Sequence, residues 1–225
     1  MSLLECKEVT RIFDPGTAAI KALSDVSMSV EEGEFVAIVG RSGSGKSTLL
    51  NVLGMLDAPD EGEVLFNGTD VRKMSEKEKS ALRNKSFGYV FQSFFLEPEY
   101  TVYENVEMPL VIAGVKASER KERTKELIEL VGLSERTDQK TKKLSGGEKQ
   151  RTCIARALAC KPAIVLADEP CGNLDSANSA EIMKLFRVIA EQGSAVLMVT
   201  HNEDDAAKAD RILYMKDGCL SNEKQ

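Results

Sequence analysis

No run of the sequence is apolar for the roughly 18 to 20 residues that a bilayer-spanning helix needs. Residues 108–113 form one of the longest apolar stretches, and Pro109 sits inside it. The first residues, Met1 to Cys6, show no basic region followed by an apolar one, so no signal peptide is expected. A basic surplus is missing too: 30 Lys and Arg stand against 36 Asp and Glu, a net charge of −6. That balance disfavours a general nucleic-acid or anionic-membrane binder, and no nucleic-acid partner is expected. Cys6, Cys153, Cys160, Cys171 and Cys219 are odd in number and contain no Cys-x-x-Cys pair. Reduced thiols in a cytoplasmic protein are expected, not a disulfide framework. Repeats and low-complexity segments are absent as well. With 42% apolar and 29% charged residues, the chain is neither disordered nor a coiled coil. If it serves a membrane, it does so as a peripheral subunit docked on other chains.

What is present suits one α/β domain of 225 residues. Residues 3–9, 22–30, 34–39 and 63–66 read as strands, the last followed by the hairpin-type pair Asn67 and Gly68. Residues 75–84 read as helix, and 87–91 as strand. Residues 120–131 form a charged amphipathic helix closed by Gly132. Residues 148–160 are helical. Residues 163–167 are all apolar, as a buried parallel strand requires. Ile182, Leu185, Phe186 and Ile189 lie at helical spacing before Gly193, and strands at 195–200 and 211–215 complete the set. Alternating strands and helices imply a mainly parallel sheet. Residues 93–160 interrupt the alternation and are expected to be an inserted helical subdomain. The core is then assigned to 1–92 and 161–225.

Gly40, Arg41, Ser42, Gly43, Ser44, Gly45, Lys46 and Ser47 fit the pattern GxxxxGK[ST], between an apolar strand and a run beginning at Thr48. Glycines let backbone N–H groups curl around phosphate without a Cβ clash, and the helix that follows adds its positive end. Lys46 is expected on the β- and γ-phosphates, and the Ser47 hydroxyl on Mg²⁺. The strand at 163–167 ends in Asp168 and Glu169. Asp168 can hold Mg²⁺ through its water shell, and Glu169 can orient or deprotonate an attacking water. His201, the only histidine, ends a strand one strand–helix–strand repeat after Asp168. Adjacent parallel strands would put it on the same ligand-bearing edge, within reach of a γ-phosphate. Gln92 also ends a strand, and its amide is a candidate ligand for Mg²⁺ or water.

A second anion-binding helix start lies at Ser145, Gly146, Gly147 and Glu148. One nucleotide loop and a second phosphate-binding turn invite a head-to-tail pairing, in which each turn meets the ATP of a second copy.

In these motifs the sequence resembles the ATP-binding-cassette family over essentially its whole length. Residues 40–48 match its Walker A, Gln92 its Q-loop, 144–151 its signature, 164–169 its Walker B, 172–175 its D-loop and His201 its switch histidine. The resemblance implies a P-loop NTPase fold with a RecA-like, mainly parallel core sheet, an N-terminal antiparallel β subdomain and an inserted α-helical subdomain. It implies an ATPase using ATP and Mg²⁺ in a two-copy ATP sandwich, and places Phe13 against adenine. It further implies integral membrane partners contacted near Gln92 to Tyr103, at the cytoplasmic face of the membrane. Finer features resemble the LolD/MacB/FtsE group and are closest to LolD. Lipoprotein release or MacB-like efflux is therefore expected, with an FtsE-like cell-division role or peptide-antibiotic export as alternatives. Cys171 stands where that group usually has Thr, and Asn202 where it usually has Asp. A repair or chromosome ATPase would separate Lys46 from Ser145 by a long heptad stretch, which is absent. A translation factor would usually carry two cassettes.

Overall fold

The computed structural model describes residues 2–14 and 18–224. The first part of the chain forms β1 (Leu4–Phe13), β2 (Ile20–Val30), β3 (Phe35–Val39), α1 (Lys46–Leu53), β4 (Glu61–Phe66) and β5 (Thr69–Asp70). Then come α2 (Glu76–Ser86), β6 (Phe87–Phe91), α3 (Val102–Ile112), α4 (Ala117–Leu130) and α5 (Gly146–Ala157). The chain closes with β7 (Ile164–Asp168), α6 (Ser176–Glu191), β8 (Ala195–Thr200), α7 (Glu203–Ala206), β9 (Arg211–Lys216) and β10 (Cys219–Ser221).

β3, β7 and β8 are short, apolar and buried almost throughout, the pattern of strands covered on both faces. They sit inside a six-stranded sheet of order β10-β9-β3-β8-β7-β6. The pairs β3–β8, β3–β9, β7–β8 and β6–β7 are parallel, and only β10 runs antiparallel to its neighbour. Alternation along each strand divides the core in two. Val36, Ile38, Leu166, Leu197 and Val199 face α1 and the second sheet, an antiparallel one of order β2-β1-β4-β5. Ala37, Val165, Ala167, Val196 and Met198 face the helices. On that side Val106, Leu127 and Ile154 of α3, α4 and α5 share one apolar cluster with Ile182 and Phe186 of α6. The helical stretch thus has no core separate from the sheet.

The antiparallel sheet departs from the expected bounds. β1 runs on to Phe13, and β2 starts at Ile20, ahead of 22. Register shifts between Cys6 and Val9 accompany positive φ at Glu8 (50°) and Asp25 (52°), so the pair bends while still hydrogen-bonding. The later helices begin sooner than expected, at Ala117 and Gly146. β10 was not foreseen. Its signal is Asp217 and Gly218, both at positive φ (49° and 78°), the geometry of a two-residue hairpin turn.

Phe186 of α6 is fully buried, with its ring centroid 6.2 Å from that of Phe35 in β3. Removing it would leave a cavity between helix and sheet, and Phe186→Ala should destabilise the chain by about 3–5 kcal/mol. Urea denaturation read by circular dichroism measures this, and an unchanged midpoint would contradict the packing described.

Candidate functional site

The loop between β3 and α1 is shaped by what its glycines permit. Gly43 and Gly45 have φ of 79° and 105°, a region that residues with a side chain rarely adopt. A Cβ on Gly40 would fall 2.3 Å from the Met215 carbonyl oxygen and 2.6 Å from Ser44 Oγ. The chain therefore folds tightly back towards β9. Lys46, only 6% exposed, turns into the loop and donates to the carbonyl oxygens of Gly40 (2.8 Å) and Arg41 (3.1 Å). Ser44 Oγ is buried there with no hydrogen-bond partner. A cradle holding an enclosed cation and an unmet hydroxyl donor suits a phosphate group. Arg41, Ser42, Gly43 and Ser47 are exposed along it, and Thr48 is half-buried.

Strand register brings the other residues to this loop. Asp168, the last residue of β7, lies level with Phe91 of β6 and Val199 of β8, and Thr200 lies level with Val39 of β3. Gln92, Glu169, His201 and Gly40 consequently follow the carboxyl ends of four adjacent parallel strands. Ser47 Oγ donates to Asp168 Oδ1 at 3.0 Å, which joins α1 to β7. Burial raises the Asp168 carboxyl above its ordinary range. The Ser47 hydrogen bond opposes that rise, and the neighbouring Glu169 charge adds to it.

Glu169 has a φ of 45°, a conformation costly for a residue with a side chain, which marks it as a candidate functional position. Its Oε2 accepts from Thr200 Oγ1 (3.3 Å), from the His201 backbone N–H (3.3 Å) and from His201 Nδ1 (2.9 Å). Its Oε1 is 3.8 Å from Lys46 Nζ. The carboxylate is thus oriented by β8 and turned towards the loop lysine. Thr200 was not anticipated as a contributor; its one signal was a position next to His201.

Gln92 is fixed differently. Its backbone oxygen accepts from Asn173 Nδ2 at 3.2 Å, and a Cβ on Gly172 would fall 2.7 Å from its Nε2. The next turn carries Phe94 and Phe95 at φ of 60° and 49°, unfavourable for bulky residues. Arg156 of α5 holds that turn, with Nη2 donating to the Phe94 oxygen (2.8 Å) and Nη1 to the Phe95 oxygen (2.5 Å). Cys153 Sγ also donates to the Phe94 oxygen at 3.1 Å. Phe95 is left 67% exposed. A helix whose far end is Ser145 therefore grips the loop that carries Gln92. Nothing in the sequence spacing announced Arg156 or Cys153.

Two expected groups stand apart within this one chain. Ser145 caps α5 beside residues 173–178, where a Cβ on Gly147 would collide with Asn178 Oδ1 at 2.0 Å. Among the described residues, no hydrogen bond or ion pair links Ser145, Gly146, Gly147 or Glu148 to the Lys46 loop. Phe13 ends β1 with 41% of its surface exposed and the Arg11 guanidinium 4.7 Å from its ring centre. Cys171 is buried, and burial pushes its thiol up to about 12, so it stays protonated at neutral pH.

A phosphate cradle joined to an acidic strand end defines a nucleotide-binding ATPase cassette. The ABC transporter family matches residues 23–172. The chain belongs to that family, as an ATPase subunit of the LolD/MacB-like type. It is 48% identical to an uncharacterised ABC transporter ATP-binding protein of Thermotoga maritima, over 96% of this chain and 92% of that one. It is likewise 48% identical to the lipoprotein-releasing system ATP-binding protein LolD of Bordetella pertussis, over 96% and 94%. Against the macrolide export ATP-binding/permease protein MacB of Chlorobium phaeobacteroides the identity is 48% over 99% of this chain but 34% of that one. The fold matches a dimeric, post-hydrolysis ATP-binding cassette bound to ADP and Pi, with a TM-score of 0.90, 40% identity, and 99% and 98% coverage.

Arg156→Gln should free the strained turn after Gln92. Amide hydrogen exchange at residues 93–96 should rise by about tenfold or more while the sheet stays protected. Unchanged protection there would show that Arg156 does not hold the loop.

Proposed function

We propose that two copies of this chain close head to tail on two Mg-ATP molecules and reopen after hydrolysis, driving separate integral membrane subunits. The observation that carries this reading is a split. Gln92, Asp168, Glu169, His201 and the Lys46 loop share one sheet edge, whereas the turn at Ser145 caps α5 beside residues 173–178, and among the described residues no hydrogen bond or ion pair joins it to the Lys46 loop. A second copy would supply the missing turn.

In this scheme Lys46 exchanges the Gly40 and Arg41 oxygens for the β- and γ-phosphates, and the amides of residues 40–48 wrap the same groups. Phe13 stacks on the adenine. Ser47 Oγ, Asp168 and the Gln92 amide offer hard oxygen donors to one magnesium ion, which would neutralise phosphate charge. Such an ion needs few protein carboxylates, so the donor set fits. Glu169 takes the proton of the attacking water, and His201, oriented by its Nδ1 contact with Glu169, presents its other nitrogen to the γ-phosphate. Movement of α5 reaches Gln92 through Arg156. Residues 93–160 act as the helical arm against the core of 1–92 and 161–225. The membrane subunits dock near Gln92 to Tyr103, where Phe95 and Tyr100 are exposed. No helix among the described residues is long and apolar enough to cross a membrane. Similarity to ATP-binding proteins of membrane transporters supports a peripheral subunit at the cytoplasmic face. Similarity to LolD and MacB favours lipoprotein release or MacB-like efflux.

Glu169→Gln should keep ATP binding, lower phosphate release by about 10²-fold or more, and accumulate an ATP-bound dimer in size-exclusion chromatography. Turnover at the parent rate would remove Glu169 as the base.

A further inference from the structure

Three helices in this chain start with the same device. Ser75, Thr101 and Ser145 each accept from the backbone N–H of a glutamate three residues on, and that glutamate, Glu78, Glu104 or Glu148, reaches back to the cap. Among the described residues, and although the Lys140 charge helps to lower the Glu104 carboxyl, neither Glu78 nor Glu104 forms an ion pair. Glu148 does. Its Oε2 accepts from Ser145 N (2.8 Å) and Ser145 Oγ (2.9 Å), while its Oε1 accepts from Arg136 Nε at 2.9 Å. The cap itself therefore does not require an arginine, since two boxes form without one. Arg136 has been recruited to the one helix start that, in the reading proposed above, must meet a triphosphate.

The chemistry explains why. Gly146 and Gly147 belong to the first helical turn, whose amides lack intrahelical acceptors and can serve a phosphate. The Ser145 hydroxyl can join them by turning its hydrogen away from Glu148. A bare carboxylate at the same turn would repel the incoming anion, and the turn would compete poorly for ATP. We propose that Arg136 is a positioning residue for the shared nucleotide site: it holds and neutralises the Glu148 carboxylate so that the Ser145 turn accepts the partner's triphosphate. Arg136 sits on the short turn Ser134–Arg136, outside α5, so it supplies this charge without entering the helix. The paired Glu148 carboxyl lies low, at about 2, with the Arg136 contact as the chief cause, so the charge persists across the physiological range.

This inference rests on the head-to-tail reading, and the test separates the two. ATP-dependent dimer formation is titrated by analytical ultracentrifugation in the Glu169→Gln background, at about 0.05 M and about 0.5 M salt. Arg136→Gln should raise the half-saturating ATP concentration about five- to tenfold at low salt, and less than about twofold at high salt, because screening removes the repulsion. In a Glu148→Gln chain, whatever its own affinity, the further loss of Arg136 should change the titration by less than about twofold. A merely structural arginine would show neither the salt dependence nor the loss of effect when Glu148 is neutral. Ser145→Arg serves as the control for the reading itself. If it leaves dimer formation intact, the head-to-tail arrangement is wrong. If it blocks dimers while Arg136→Gln matches the parent at low salt, the role given to Arg136 is wrong.

Discussion

Backbone hydrogen bonds tie β7 to β6 on one side and to β8 on the other, and they set Asp168 level with Phe91 and Val199. Through β8 the same ladder aligns Thr200 with Val39. A slip of one residue in any of these pairings would turn every inward side chain of that strand to the opposite face. The apolar side chains forbid the slip, since both faces of β3, β7 and β8 are buried. Packing thus fixes the register, and the register fixes the distance between Glu169, His201 and the Lys46 loop.

The polar contacts at that edge then have little freedom. Glu169 emerges from β7 at a positive φ and meets three groups at once, the hydroxyl of Thr200 that ends β8 and the backbone and ring nitrogens of His201 just after it. Ser47 reaches Asp168 from the start of α1. The sheet itself thus orients the Glu169 carboxylate. Lys46 is held by two carbonyl acceptors inside the cradle, contacts that a phosphate would replace in the proposed scheme. From α5, Arg156 and Cys153 both grip the strained turn that follows Gln92 at this edge.

The central strands were legible in the sequence because their signal is local: an uninterrupted apolar run, then a glycine, an acid pair or a histidine. The cradle was legible for the same reason, since GxxxxGK[ST] needs no distant residue to be recognised. β1 and β2 were read short at the ends facing each other, residues 10–13 and 20–21, whose pairing with one another is not announced by local sequence. The contacts of Thr200, Asn173, Arg156 and Arg136 escaped notice because each donates across an intervening turn or element, to Glu169, Gln92, Phe94 and Glu148 respectively. Such partners are chosen by topology, which residue spacing does not reveal. Phe13 was placed by resemblance alone, and the fold leaves it at an exposed strand end under Arg11.

The central claim is that one working site is built from two chains. It is tested most directly by mixing two inactive variants, Lys46→Ala with an intact Ser145 turn and Ser145→Arg with an intact Lys46 loop. Each alone should hydrolyse ATP at background rate. Together they can form a mixed dimer with one complete site, and phosphate release should recover to a clear fraction of the parent rate. If mixtures at every ratio stay at background although the Ser145→Arg chain folds and binds ATP, the site does not span two copies and the account is wrong.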